Sequence, residues 1–185
     1  MVRRRLLALF ADILDYPGPG LARAVGACEA LAASASAEAA SLLGAFRTFV
    51  EQTPLARLEE VYTATFDLDA ACHPYVGYHL FGETYKRSVF LVGLRERYRA
   101  IGYLDGAELP DHVAVLLRFL ALTEDAAQAE EVVQEALLPA LERMTAGADA
   151  GPEEAGHEPK PAHYRPVLRA LYLVLGGEAA RAAAV

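Results

Sequence analysis

The sequence predicts an all-α fold: a multi-helix bundle of about seven to nine helices in a single domain spanning residues 1–185. Three observations carry this. Apolar residues recur at three- and four-residue spacing through most of the chain, and no long alternating run marks a strand. Hydrophobic residues make up 54% of a 185-residue chain, enough to bury a sizeable core. Between the periodic segments fall clusters of proline, glycine, serine and threonine, the residues that stop and start helices.

Leu6, Leu9, Phe10, Ile13 and Leu14 mark a first helix, stopped by Tyr16-Pro17-Gly18-Pro19-Gly20. The preceding Arg3-Arg4-Arg5 imitates the start of a secretory signal, but Asp12 and Asp15 interrupt the apolar run and no small-x-small site follows promptly. A second helix runs from Leu21 to about Ala33 with Leu21, Val25 and Leu31, and Cys28 reads as a small buried hydrophobe on it. Ser36 is a suitable N-cap for a third helix carrying Leu42, Leu43, Phe46, Phe49 and Val50, with Glu38 in its first turn. Thr53 as N-cap and Pro54 at the first helical position open a fourth, with Leu55, Leu58, Val61, Tyr62 and Thr65 on one face.

Asp67 to Pro74 is a turn-rich joint. From Tyr75 the periodicity resumes and predicts a helix that stops at Gly102, with Tyr78, Phe81, Tyr85, Val89 and Val92 on a core stripe and charged residues opposite. Pro110 at the first helical position and Asp111 at the positive end of the dipole open a nearly buried helix with Val113, Leu116, Leu117, Phe119 and Leu120. Thr123-Glu124-Asp125 caps the next, which Pro139 should kink or split. Residues 146–162 hold Gly, Pro, Ala and Glu without larger apolar side chains and read as a mobile loop. Val167, Leu168, Leu171, Tyr172, Val174 and Leu175 mark the last helix.

A formal net charge of −8 argues against a nucleic-acid surface, and no apolar run reaches the length of a membrane span. Two cysteines, Cys28 and Cys72, form no framework and point to a reduced cytoplasmic compartment. Cys72, His73, His79 and His112 match no metal-ligand spacing, so no metal site is expected. Asp67, Asp69 and Glu83 could pair for acid–base work, but a capping or surface role fits them better. Asp111-His112 could form a catalytic dyad, yet neighbours at a helix start usually point apart. The chemistry available is aromatic and apolar surface with a few polar groups, a composition for holding a partner.

With those residues in view, the chain resembles the NarJ branch of the TorD/DmsD/NarJ family of redox-enzyme maturation chaperones. The likeness rests on Leu6-Leu7-Ala8 through Tyr16-Pro17, Pro54-Leu55, Tyr62 with Phe66-Asp67, Gly82-Glu83-Thr84 with Arg87, and Tyr164 to Leu175. Glu108-Leu109-Pro110-Asp111-His112 is its most specific piece. Ser88 departs from the glycine expected after Arg87, and the chain stops soon after its last helix where some relatives continue into an acidic tail.

The resemblance implies a TorD-like helical fold and a cytoplasmic, non-catalytic role. The client it implies is the respiratory nitrate reductase alpha subunit, met as N-terminal peptide and apo-enzyme; a sister molybdoenzyme of the DMSO reductase family is the alternative. The chaperone would bind no cofactor stably. It would assist molybdenum cofactor and iron–sulfur cluster insertion into the client, with cofactor-biosynthesis proteins as further partners, as a monomer or weak homodimer. A helix-in-groove mode needs apolar anchors and a polar edge. Tyr75, Tyr78, Phe81 and Tyr85 are the expected anchors, Asp111 and His112 the edge, and Leu109, Pro110 and Leu116 complete the client-binding set. An exposed His112 would also make client release depend on pH.

Overall fold

A computed structural model describes residues 2–67, 72–103, 106, 108–146 and 163–176, and every regular element among them is helical. α1 (Val2–Ile13) buries Leu6, Leu7, Leu9, Phe10, Ala11 and Ile13 against α7 (Val113–Leu122) and α2 (Leu21–Ala32). α3 (Ala37–Gln52) lies against α2 and α10 (Arg165–Val174), and α10 in turn packs on α9 (Leu138–Ala146). α7 is the innermost: Val113 to Leu117, Phe119 and Leu120 are all buried, as its near-continuous apolar run requires.

The caps follow the sequence closely. Ser36 Oγ accepts the Ala39 N–H at 3.2 Å, and Asp125 Oδ1 accepts that of Gln128 at 2.9 Å, each satisfying an orphan donor of a first turn. α4 (Leu55–Phe66) departs slightly: Pro54 itself is the N-cap, and the Thr53 hydroxyl donates back to the Phe49 carbonyl at 2.6 Å. Tyr62, Phe66, Phe46 and Tyr164 make an aromatic core where α4, α3 and the start of α10 meet, with ring centroids 4.9 to 5.7 Å apart.

One long-helix expectation is corrected. The periodicity after Tyr75 belongs to two helices, α5 (Val76–Phe81) and α6 (Tyr85–Ala100), because Gly82 takes φ +61° and ends the first. The helix that holds Pro139 changes its hydrogen-bonding pattern just before the proline. α8 (Ala126–Val132) runs through a π-helical segment (Val133–Leu137) into α9, and the Leu138 N–H reaches back five residues to the Val133 carbonyl. That wider turn shifts the carbonyl register just before the proline ring, where an α-turn would clash. With this rod counted once, the described residues hold nine helices. Residues 147–162, most of the expected mobile loop, lie outside the described residues, as does Asp69.

Candidate functional site: the junction of α5, α6 and the start of α7

Pro74-Tyr75-Val76 and Asp111-His112-Val113 run antiparallel as a single bridge. The Val76 N–H donates to the Asp111 carbonyl and the Val113 N–H to the Pro74 carbonyl, each at 2.8 Å. Residues 109–112 form a turn closed by the His112 N–H donating to the Leu109 carbonyl at 3.0 Å, and the bridge holds His112 extended, so α7 begins at Val113 and not at Pro110. The sequence reading of Asp111 as a first-turn dipole partner is therefore corrected. Its carboxylate, wholly buried, receives the Arg87 guanidinium from α6: Nε donates at 3.0 Å and Nη2 at 3.4 Å. Arg87 also lies 5.3 Å from the Tyr75 ring centroid and 5.9 Å from that of Tyr78.

Gly77 makes the close approach possible. A Cβ there would stand 2.8 Å from Asp111 Oδ2 and 2.9 Å from Phe90 Cδ1, so any larger residue would force these side chains or α5 itself to shift. The motif that carried most of the family resemblance is thus tied to both neighbouring helices. Tyr98 of α6 adds a further tie, its hydroxyl donating to the Pro110 carbonyl at 2.7 Å. Tyr75 closes the surface side, its hydroxyl donating to Glu108 at 3.1 Å; burial and the Glu108 carboxylate together push its pKa up to about 12.

His112 is buried, which corrects the expectation of an exposed pH-sensing histidine. Its Nδ1 accepts the Ala114 N–H at 3.2 Å, so it serves as the N-cap of α7. Burial holds its pKa below the ordinary histidine value, despite the opposing pull of Glu108, Asp15 and Asp111. The neutral imidazole that accepts this bond is the form burial favours. Asp111 and His112 have separate partners and do not form a dyad. Cys72 and Cys28 are free thiols, raised by burial to about 11 and 12, and no group of three or more potential metal ligands converges among the described residues.

The nine sequence-predicted residues divide. Tyr75 and Tyr78 are half-buried and converge with Asp111 through Arg87; His112 meets the Tyr75 ring edge-on at 5.7 Å. Pro110 is buried and Leu109 partly exposed beside them. Leu116 is fully buried on α7, with no surface to offer a partner. Phe81 points elsewhere, packing on Phe90 at 5.5 Å and lining a pocket of about 220 Å³ between α5, α6 and the α8–π rod. Leu80, Phe90, Leu94, Val132 and Ala136 share that lining. Tyr85 starts α6 with 82% of its surface in water, apart from the other anchors. Sequence reasoning missed the pocket residues of the rod, and also Arg143 of α9, which donates to the His79 and Leu80 carbonyls and so caps α5.

The all-helical fold is shared with a solved structure. A solved structure from Archaeoglobus fulgidus, described as a redox enzyme maturation protein, superposes with a TM-score of 0.58 over 94% of this chain and 93% of its own, at 24% identity. The family model for the nitrate reductase delta subunit matches residues 30–148, more than half of the chain, and the chain belongs to that family. A Bacillus subtilis relative described as the nitrate reductase molybdenum cofactor assembly chaperone NarJ is 36% identical over 84 residues. That match spans about 45% of each chain, so the chain aligns with a little under half the length of this curated relative. The resemblance read from Tyr16-Pro17, Arg87 and the Pro110-Asp111-His112 corner is borne out at the level of family.

Proposed function

We infer that this chain is a non-catalytic assembly chaperone for the catalytic subunit of a respiratory nitrate reductase. It works in the cytoplasm, binding the N-terminal segment and immature body of its client. The client is thereby held competent to receive its molybdenum cofactor and iron–sulfur cluster before it docks at the membrane, and the cofactor is cargo for the client. The observation that carries the reading is membership of the nitrate reductase delta subunit family across residues 30–148. The relative described as an assembly chaperone supports it.

The geometry is suited to this work. An amphipathic client helix needs an apolar socket next to polar positions. The pocket lined by Phe81, Phe90 and Leu94 supplies a socket for a bulky side chain, and the half-buried Tyr75 and Tyr78 with the exposed Leu109 supply separate contacts at the bridge. At about 220 Å³ it is smaller than the 300 Å³ or more typical of sites that enclose a whole small molecule. Arg87 and Asp111 act behind this surface by fixing α5 and α6 relative to α7. No helix among the described residues is long and apolar enough to cross a membrane.

The test is co-expression of the nitrate reductase catalytic subunit from the same genome with and without this chain. The account expects recovered subunit to carry stoichiometric molybdenum only when the chain is present. Equal molybdenum content in both would remove the assignment.

A further inference from the structure

Among the described residues Gly26, Gly44, Gly77 and Gly93 lie inside helices. A glycine there weakens its helix relative to alanine, a cost offset where a neighbour fills the room it leaves. Gly26 lies under the Arg47 side chain, Gly44 under the Glu29 carboxylate and Gly77 under Asp111 and Phe90. Gly93, midway along α6, has no such neighbour: a Cβ added to it would meet nothing within 4 Å. It lines the pocket of about 220 Å³ together with Phe81, Phe90 and Leu94, so the room it leaves belongs to that pocket. The facing wall is irregular too. Glu135 and Ala136 come from the π-helical segment, a rare geometry that recurs at functional sites. Three charged side chains share the lining. Arg97 and Glu131 bond each other at 2.6 Å, which leaves Glu135 exposed and without an ion pair among the described residues. Glu96, exposed three residues from Gly93, has the same sign; Lys86, exposed four residues before Phe90, has the opposite one and lies outside the lining. Arg143 of α9 is taken by the His79 and Leu80 carbonyls.

Resting on the client reading above, we propose that Gly93 and Glu135 are the specificity-determining residues of the client site. Gly93 leaves depth for one bulky apolar side chain of the client's N-terminal helix, and Glu135 selects a lysine or arginine on an adjoining turn of that helix. Volume limits the occupant to one side chain. An apolar cavity of about 150 Å³ holds a benzene ring, so this pocket holds the side chain of a leucine or phenylalanine and little more. Charge limits what stands beside it. The carboxylate left over at the lining repels an acidic neighbour and attracts a basic one, in the manner that fixes register across interfaces. Glycine at position 93 thus trades helix stability for depth, and any larger residue would occupy the pocket from within.

The probe is the N-terminal peptide of the nitrate reductase catalytic subunit from the same genome, titrated calorimetrically into the full chain and its variants. Gly93→Leu should weaken binding about 5- to 100-fold, the penalty of overpacking, and Gly93→Ala should weaken it less. Both should fold, and Gly93→Ala should raise the thermal midpoint by about 1–4 °C, because alanine suits a helix better and meets no obstacle. Val92→Leu, on the exposed side of the same helix, should leave binding unchanged. Glu135→Lys should weaken binding about two-fold or more and reduce its dependence on salt. Alanine substitution along the peptide should find one large apolar residue whose contribution disappears in Gly93→Leu, since both changes remove the same contact. The proposal is overturned if Gly93→Leu or Glu135→Lys binds as tightly as the parent, if no peptide position couples to Gly93, or if Gly93→Ala lowers the midpoint. Any of these results, with the parent still binding, sinks this proposal and leaves the client reading standing. A parent chain that does not bind the peptide removes the client reading and this proposal together.

Discussion

Replacing Asp111 by alanine leaves the Arg87 guanidinium, itself only 14% exposed at the side chain, without its counter-charge at the junction of three helices. Removing one partner of a buried ion pair typically costs about 3–5 kcal/mol, because the remaining charge stays desolvated. For a chain of this size each kcal/mol moves the thermal midpoint by about 2–4 °C, so the midpoint should fall by roughly 6–20 °C. Arg87→Ala should cost a similar amount, since it strands a carboxylate with no exposed surface. The double variant strands neither, and should cost less than the two singles summed. Thermal and urea unfolding followed by circular dichroism give all three values. Single variants within about 0.5 kcal/mol of the parent, or strictly additive effects in the cycle, would refute the view that this pair fixes α5 and α6 to α7.

Other expectations concern caps and core. Ser36→Ala removes the acceptor of the Ala39 N–H and should cost about 1 kcal/mol by urea unfolding; a change near zero would mean that the cap bond carries no net stability. Leu116→Ala should cost about 2–5 kcal/mol while client-peptide affinity of the folded protein stays at the parent value, because the side chain is wholly interior. A selective loss of affinity would instead return Leu116 to the binding surface. For His112 the folded pKa lies below the ordinary 6.5, so the unfolded chain binds a proton first as pH falls. Stability is then full above about pH 6.5 and declines below it toward the folded pKa. His112→Asn keeps an acceptor at the N-cap and should flatten part of that decline, with the remainder left to His79 and His163, whose pKa values are also depressed by burial.

What was legible in the sequence was mostly local. Ser36, Asp125 and Gly102 act within one turn of themselves, so their roles as caps and stop could be read from spacing. The break at Gly82 was hidden because the apolar periodicity of α5 runs on into α6 without losing phase. Periodicity also misled about Tyr85, Val89 and Val92: it identifies a face, but the packing of neighbouring helices decides whether that face is covered. The Pro110-Asp111-His112 corner was recognised as special, yet its partners could not be named. Arg87 lies 24 residues away and Pro74 on another segment, and no spacing rule joins them. The π-helical segment lies just before Pro139, and proline statistics alone do not tell a π-turn from another break in the α-helical pattern.

The proposed function requires this chain to hold the N-terminal segment of a nitrate reductase catalytic subunit. Calorimetric titration with that peptide, taken from the same genome, tests it most directly. The account predicts saturable binding at about one peptide per chain, with a negative heat-capacity change from burial of apolar surface, weakened in the Tyr78→Ala, Phe81→Ala double variant. Absence of binding, or binding that the double variant leaves untouched while the fold is intact, would contradict it.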